Sequence, residues 1–93
     1  MAEAVAACHR NGIIHRDIKL ENFLIDRIDH SDDIIIKLTD FGIACTYDAK
    51  NPPTKRCGSL QSVAPEVLFG KTGYGYKVDC WGLGVILYEL LIN

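Results

Sequence analysis

Residues 15–22 read HRDIKLEN. His15, Arg16, Asp17, Lys19 and Glu21 carry or can carry charge, and apolar runs flank them, Ile13-Ile14 before and Phe23-Leu24-Ile25 after. A plain turn would be served by Gly, Ser or Asn. A carboxylate set between cations, with a carboxamide following at Asn22, suggests chemistry at the edge of a hydrophobic core. If this loop is extended, residues two apart project to one side. Asp17, which can accept a proton, then lies beside Lys19, whose ammonium can meet phosphate oxygens.

The elements on either side decide what joins them. Residues 23–26 and 34–38 are short β-branched or apolar runs, and the polar, acidic residues 27–33 between them suit a solvated hairpin loop. The start of a hairpin's first arm and the end of its second are neighbours in space. Asn22 and Asp40 should therefore sit at the same end. A carboxylate and a carboxamide oxygen are hard ligands, suited to Mg²⁺ with water and phosphate completing the octahedron. Metal ligands, a base to orient a hydroxyl and a cation for the transferred group together indicate phosphoryl transfer. Taken singly, each residue fits a surface loop with ion pairs and a capping Asn. The ordered set, with Phe41-Gly42 after Asp40, does not.

The remaining segments supply the frame. Residues 1–10 are Ala-rich, with Val5 and Cys8 at helical spacing, His9-Arg10 in the last turn and Gly12 placed for a left-handed cap. The pattern already runs at Met1 with no N-cap, as expected of a chain that begins part-way through an element. Residues 40–64 contain few hydrophobic runs, and so long a loop is more often functional than not. Pro65-Glu66 can open a short helix, and residues 70–75 form a turn-rich link. Residues 77–92 predict a final helix, ~24 Å long, apolar all the way round through Val78, Cys80, Trp81, Leu83, Val85, Ile86, Leu87, Leu90 and Leu91. Such a helix is expected to be buried in the centre of something larger.

Composition narrows the classes. Ninety-three residues make one small domain or a piece of a larger one, and 48% hydrophobic residues suffice for a core. A net charge of −2 without a basic block argues against nucleic acid as a partner. Four cysteines without C-x-x-C spacing, and no signal peptide, indicate reduced thiols and an intracellular, cytoplasmic location. A zinc site built on Cys8-His9 is disfavoured because adjacent helical residues point apart. An EF-hand over Asp26, Asp29, Asp32 and Asp33 lacks the central Gly and terminal Glu. Gly70-Lys71-Thr72 is not a phosphate loop, because position 65 is Pro where that pattern needs Gly. The most apolar segment, residues 80–92, is too short for a membrane span and carries Glu89.

The order of these motifs resembles that of the eukaryotic protein kinases. The family's H-R-D-x-K-x-x-N pattern stands at His15–Asn22, D-F-G at Asp40-Phe41-Gly42, A-P-E at Ala64-Pro65-Glu66, and D-x-W-x-x-G at Asp79 to Gly84. The resemblance implies an α+β, protein-kinase-like fold, present in part. Its pieces would be a mostly helical C-lobe segment, a short β-hairpin, an activation segment and a buried long helix. It also implies ATP and Mg²⁺, with Asp17 as catalytic base, Lys19 on the γ-phosphate, and Asn22 and Asp40 holding the metal. ATP would meet Lys19, Glu21, Asn22, Leu24 and Asp40, with Leu24 under the adenine. Arg16 would gather a phosphate from the activation loop, with Thr54 as its site and Thr46 and Tyr47 as alternatives. His15 would pack against Phe41 beside Gly42, Asp79 would brace the catalytic loop, and Ser59 and Glu66 would support the activation segment. Lys19, with Ser59 after Gly58, favours protein Ser/Thr over Tyr as substrate. Lys77 to Trp81 and Glu21 to Leu24 look most like the calcium/calmodulin-dependent group.

Two departures stand out: Ser62 replaces a Tyr in the stretch that docks substrate, and Gly82 replaces a usual Ser, weakening the helix locally. The 93 residues contain neither a Gly-rich loop nor a V-A-I-K-type lysine. Residues 1–93 are therefore expected to be a central fragment, inactive alone. The N-lobe would precede Met1, and the closing C-lobe helices would follow Asn93. The alternatives are a non-catalytic, pseudokinase-type binding module and a truncated gene product. Oligomeric state is not encoded in any motif.

Overall fold

The Ala-rich opening segment forms helix α1 (Ala2–Arg10) in the computed structural model, which describes residues 1–27 and 32–92. Asn11 and Gly12 close it, donating their N–H groups to the carbonyls of Cys8 and His9, both at 3.0 Å. Gly12 takes a left-handed φ of 73°, inexpensive without a Cβ. Strand β1 (Ile13–Ile14) follows, then the loop and a 3₁₀ turn over Leu20–Asn22.

The two apolar runs form the expected antiparallel hairpin. β2 (Phe23–Arg27) pairs with β3 (Ile34–Leu38) in a register that sets Phe23 opposite Leu38 and Arg27 opposite Ile34. Of the connecting loop, residues 28–31 lie outside the described residues, as does Asp29 of the rejected EF-hand. A second ladder departs from the sequence expectation. Within the segment read as one long loop, β4 (Cys45–Thr46) pairs with β1, Ile13 opposite Thr46 and Ile14 opposite Cys45. The N–H of Tyr47 extends it to the Gly12 carbonyl at 2.8 Å. Two-residue strands have no periodicity of their own; the free backbone edge of Ile13-Ile14 creates the pairing.

Helix α2 (Pro65–Phe69) opens on Pro with Glu66 in its first turn, and α3 (Lys77–Ile92) ends the described chain. Two apolar clusters carry the packing. Ile14, Ala64, Val67, Tyr74 and Val78 form one, and Val5, Ile18, Phe23 and Ile86 the other. Helix α3 contributes to both, and between them Gly82 lets the loop rest on it. A Cβ at Gly82 would stand 2.6 Å from the Ile18 carbonyl oxygen. The glycine that the sequence marks as a weak point in the helix is therefore also its place of closest approach to the loop.

The burial expected of α3 is only partly met. Val78, Asp79, Gly82 and Ile86 are buried, while Trp81, Leu87, Tyr88, Leu90, Leu91 and Ile92 are exposed. The described elements cover one stripe of a helix that is apolar on every side. The hairpin is similar, with Phe23 buried and Leu24, Ile25, Ile34, Ile35 and Ile36 exposed. All four cysteines are free, and burial, its largest cause, raises the pKa of Cys8 and of Cys45, which keeps both as thiols. No helix among the described residues is long and apolar enough to cross a membrane.

An apolar stripe of this extent exceeds what a soluble monomer usually shows. The isolated 93-residue chain should self-associate at micromolar concentration, and Leu87→Gln with Leu91→Gln should reduce that association. Ile86→Ala, which empties a buried position, should instead cost about 2–4 kcal/mol of stability. Sedimentation velocity and denaturant melts check both; a monomeric wild-type chain with a sharp cooperative melt would contradict the first.

Candidate active site

The site is built outward from a carboxylate in the first turn of α3. Asp79 is only 1% exposed. Its Oδ2 accepts the backbone N–H of His15 at 2.9 Å and the His9 Nε2–H at 2.8 Å, while its Oδ1 accepts the N–H of Arg16 at 2.9 Å. The two successive amides converge because Arg16 adopts φ 71°. A left-handed turn of this kind forms a small anion-binding nest from consecutive N–H groups. The conformation costs a non-glycine residue roughly 1–2 kcal/mol, which the charge-assisted bonds offset.

His15 transmits that anchor. Its ring is fully buried, its Nδ1 accepts the Asp17 N–H at 3.1 Å, and its Nε2 lies 2.9 Å from the Thr39 carbonyl. A carbonyl can only accept, so Nε2 carries the proton and Nδ1 the lone pair. One ring nitrogen thus holds the loop and the other the end of the hairpin. The same ring packs edge-on against Phe41, centroids 4.8 Å apart.

Around Asp17 the polar groups interlock. Its Oδ1 accepts the Ser59 hydroxyl at 3.0 Å, and that hydroxyl's oxygen accepts Lys19 Nζ at 2.8 Å. Lys19 Nζ also stands 3.9 Å from Asp17 Oδ2. Asn22, buried in the 3₁₀ turn, donates Nδ2 to the Asp17 carbonyl at 2.8 Å and to Asp17 Oδ2 at 3.3 Å. Its own carbonyl accepts the Thr39 N–H at 2.8 Å and the Thr39 hydroxyl at 3.3 Å. Asn22 therefore meets the residue preceding Asp40, as hairpin geometry requires. Asp40 is exposed, at φ 59°, with its Oδ1 taking the Gly42 N–H at 3.3 Å.

The donor set suits a hard divalent cation. The Asn22 amide nitrogen is committed to Asp17, which leaves the carboxamide oxygen for a metal, and Asp40 offers a carboxylate. No cage of three or more His, Cys, Asp or Glu side chains occurs among the described residues. Few protein ligands, with water and phosphate supplying the rest, is how Mg²⁺ is usually held.

Other singled-out residues stand apart from this network. Glu21 is exposed on the 3₁₀ turn, and Leu24 is exposed on β2 opposite Lys37. Glu66 is exposed at the start of α2. Thr46 lies in β4, and Tyr47 packs against the first cluster. Thr54 is exposed; the Arg16 guanidinium instead donates Nε to the Ile43 carbonyl at 2.6 Å and Nη1 to the Tyr74 hydroxyl at 3.3 Å. Two residues escape a reading of the sequence: His9, which looks like a helix-terminal charge, and Tyr74, an aromatic in a glycine-rich link. The only available signal was the placement of each beside a motif rather than within it.

The family model described as "Protein kinase domain" matches residues 1–93. The chain is 49% identical over 90 residues to a "Probable serine/threonine-protein kinase KIN1 homolog" of Enterocytozoon bieneusi (strain H348), covering 97% of this chain and 14% of that protein. It is 42% identical to mouse "NUAK family SNF1-like kinase 1" over 91 residues, 98% of this chain and 13% of the relative. It is also 42% identical to the "Probable serine/threonine-protein kinase fhkE" of Dictyostelium discoideum over 94 residues, 98% of this chain and 13% of the relative. The chain spans about one seventh of the length of these curated relatives.

Removing the anchor should be costly. Asp79→Ala leaves the His15 and Arg16 amides buried without an acceptor, each worth roughly 1–3 kcal/mol, so it should destabilise by about 2–5 kcal/mol. Asp79→Asn keeps one acceptor oxygen and should cost less. Denaturant unfolding of the two variants gives the order, and a loss below about 1 kcal/mol for Asp79→Ala would contradict the anchoring role.

Proposed function

The chain belongs to the protein kinase family, and we propose that it is the central part of a Ser/Thr protein kinase catalytic domain, transferring the γ-phosphate of ATP to protein Ser or Thr. The observation that carries this reading is the Asp17 carboxylate, held at 3.0 Å by Ser59 and 3.3 Å by Asn22, with Lys19 Nζ on the same Ser59 hydroxyl and 3.9 Å from the carboxylate.

In this proposal Asp17 accepts the proton of the substrate hydroxyl, and its two donors fix the direction from which that proton arrives. Lys19 faces the transferred phosphoryl group, and its bond to Ser59 ties it to the segment that docks the peptide. Asn22 and Asp40 hold Mg²⁺, which when bound neutralises charge on the phosphates. Leu24 and Glu21 lie toward the nucleotide. Arg16 gathers the phosphate of a modified activation segment, with Thr54 as the site, and Asp79 fixes the backbone on which Arg16 and Asp17 stand. The activity belongs to the complete domain rather than to these 93 residues alone. Ser62 is buried where the family has Tyr, so peptide preference should differ from that of relatives that keep the ring.

Three variants in a complete domain carrying this chain separate the roles. Asp17→Asn leaves the metal donors in place, so ATP should bind while single turnover falls roughly 10²–10⁴-fold. Asp40→Ala removes the charged donor and should abolish turnover and weaken ATP affinity. Asn22→Ala removes a neutral donor, and raised Mg²⁺ should partly restore it. If Asp17→Asn loses ATP affinity as badly as Asp40→Ala, the assignment of base and ligands is wrong. A wild-type domain that binds ATP without turnover would mark a binding module instead. Thr54→Ala should lower activity and remove one phosphopeptide; an unchanged map and rate would exclude that site.

A further inference from the structure

Tyr74 lies in the glycine-rich link between α2 and α3, and its ring is buried against Ile14, Ala64, Val67 and Val78. Packing accounts for an aromatic ring there, and Phe would serve equally. The hydroxyl is what packing does not explain. It donates to the Lys55 carbonyl, receives Arg16 Nη1 at 3.3 Å, and has Cys57 Sγ at 3.8 Å. The backbone N–H of Tyr74 donates to the Pro53 carbonyl at 3.0 Å. One residue thus grips the activation segment on both sides of Thr54, whose side chain stays exposed. The link is shaped to the same segment, since a Cβ on Gly73, at φ 95°, would stand 2.8 Å from Pro52 Cγ.

The bonds have a fixed direction. A phenol has one proton and two lone pairs. Its proton goes to the Lys55 carbonyl, an acceptor only, so Arg16 must donate into a lone pair. Burial pushes the Tyr74 pKa above its ordinary value, against the pull of Arg16, so the hydroxyl keeps its proton at physiological pH. Arg16 has little freedom to leave, because Nε is held by the Ile43 carbonyl and its backbone N–H by Asp79.

We propose that Tyr74 is a positioning residue whose hydroxyl couples the backbone around Thr54 to Arg16, and through Arg16 to the catalytic loop. The proposal rests on the roles given above to Asp17 and Arg16. Loss of the hydroxyl should free the Lys55 peptide and loosen the guanidinium together, while the ring continues to fill the core.

The test is made in a complete kinase domain carrying this chain, with Tyr74→Phe, Arg16→Leu and the double variant. Native-state trypsin cleavage after Lys55, relative to cleavage after Lys50, should rise about tenfold in Tyr74→Phe and also in Arg16→Leu, the scale of losing a hydrogen bond to a charged group. The kcat should fall about tenfold in Tyr74→Phe with the KM for ATP nearly unchanged. The double variant should fall no further than the lower single variant. An unchanged cleavage ratio in both single variants, or falls in kcat that multiply, would overturn the proposal. If Tyr74→Phe does not fold, the cleavage ratio of Arg16→Leu decides. A wild-type domain without turnover sinks the kinase reading, and the cleavage ratios then decide the role of Tyr74 alone.

Discussion

The Asp79 carboxylate sits out of reach of water and accepts three hydrogen bonds, from the amides of His15 and Arg16 and from the His9 ring. A carboxylate buried without donors would cost several kcal/mol. It is therefore stable only while the end of α1, the loop and the first turn of α3 remain together. The interaction is more a constraint than a source of net stability. It admits one mutual arrangement of three segments distant in sequence, and every candidate catalytic residue hangs from that arrangement.

From this anchor the order propagates through directional contacts. His15 is locked in one tautomer between the Asp17 amide and the Thr39 carbonyl. That bond fixes the end of the hairpin, which carries Asp40, and Phe41 closes over the ring. Arg16 and Asp40 both occupy left-handed backbone conformations, φ 71° and 59°. The first is unfavourable for Arg, whereas Asp tolerates it, aided here by the local bond of its Oδ1 to the Gly42 N–H. Strain of this sort persists where surrounding bonds over-determine the backbone, as Asp79 does for Arg16.

What the sequence disclosed follows the range of the forces involved. The two arms of the hairpin, the cap at Gly12 and the span of α3 are local, set by β-branched and apolar runs, a missing Cβ and helical periodicity. The meeting of Asn22 with the end of β3 follows from the hairpin alone. The β1–β4 ladder was illegible, because two residues of backbone edge have no pattern. His9 and Tyr74 were missed for the same reason: a histidine at a helix end and a tyrosine in a turn gain their roles only from partners across the fold. The contact of the Arg16 guanidinium with Tyr74 is likewise something no spacing could show. For α3, periodicity described its apolar character correctly but not which of its faces the described residues cover.

The anchoring of the loop by Asp79 also bears on how such a chain is made. His15 and Asp79 are 64 positions apart, so the loop's amides acquire their acceptor long after they leave the ribosome. At 5–20 residues per second, that interval is roughly 3–13 s. Helix–coil and hairpin steps finish in microseconds, so α1 and the β2–β3 hairpin can form and re-form many times before α3 is synthesised. Until then nothing offsets the left-handed turn at Arg16, and Asp17 has no fixed position. The loop, made 64 residues ahead of its acceptor, is thus ordered only once α3 arrives, and a nascent chain stalled before Asp79 carries the motif's sequence without its geometry.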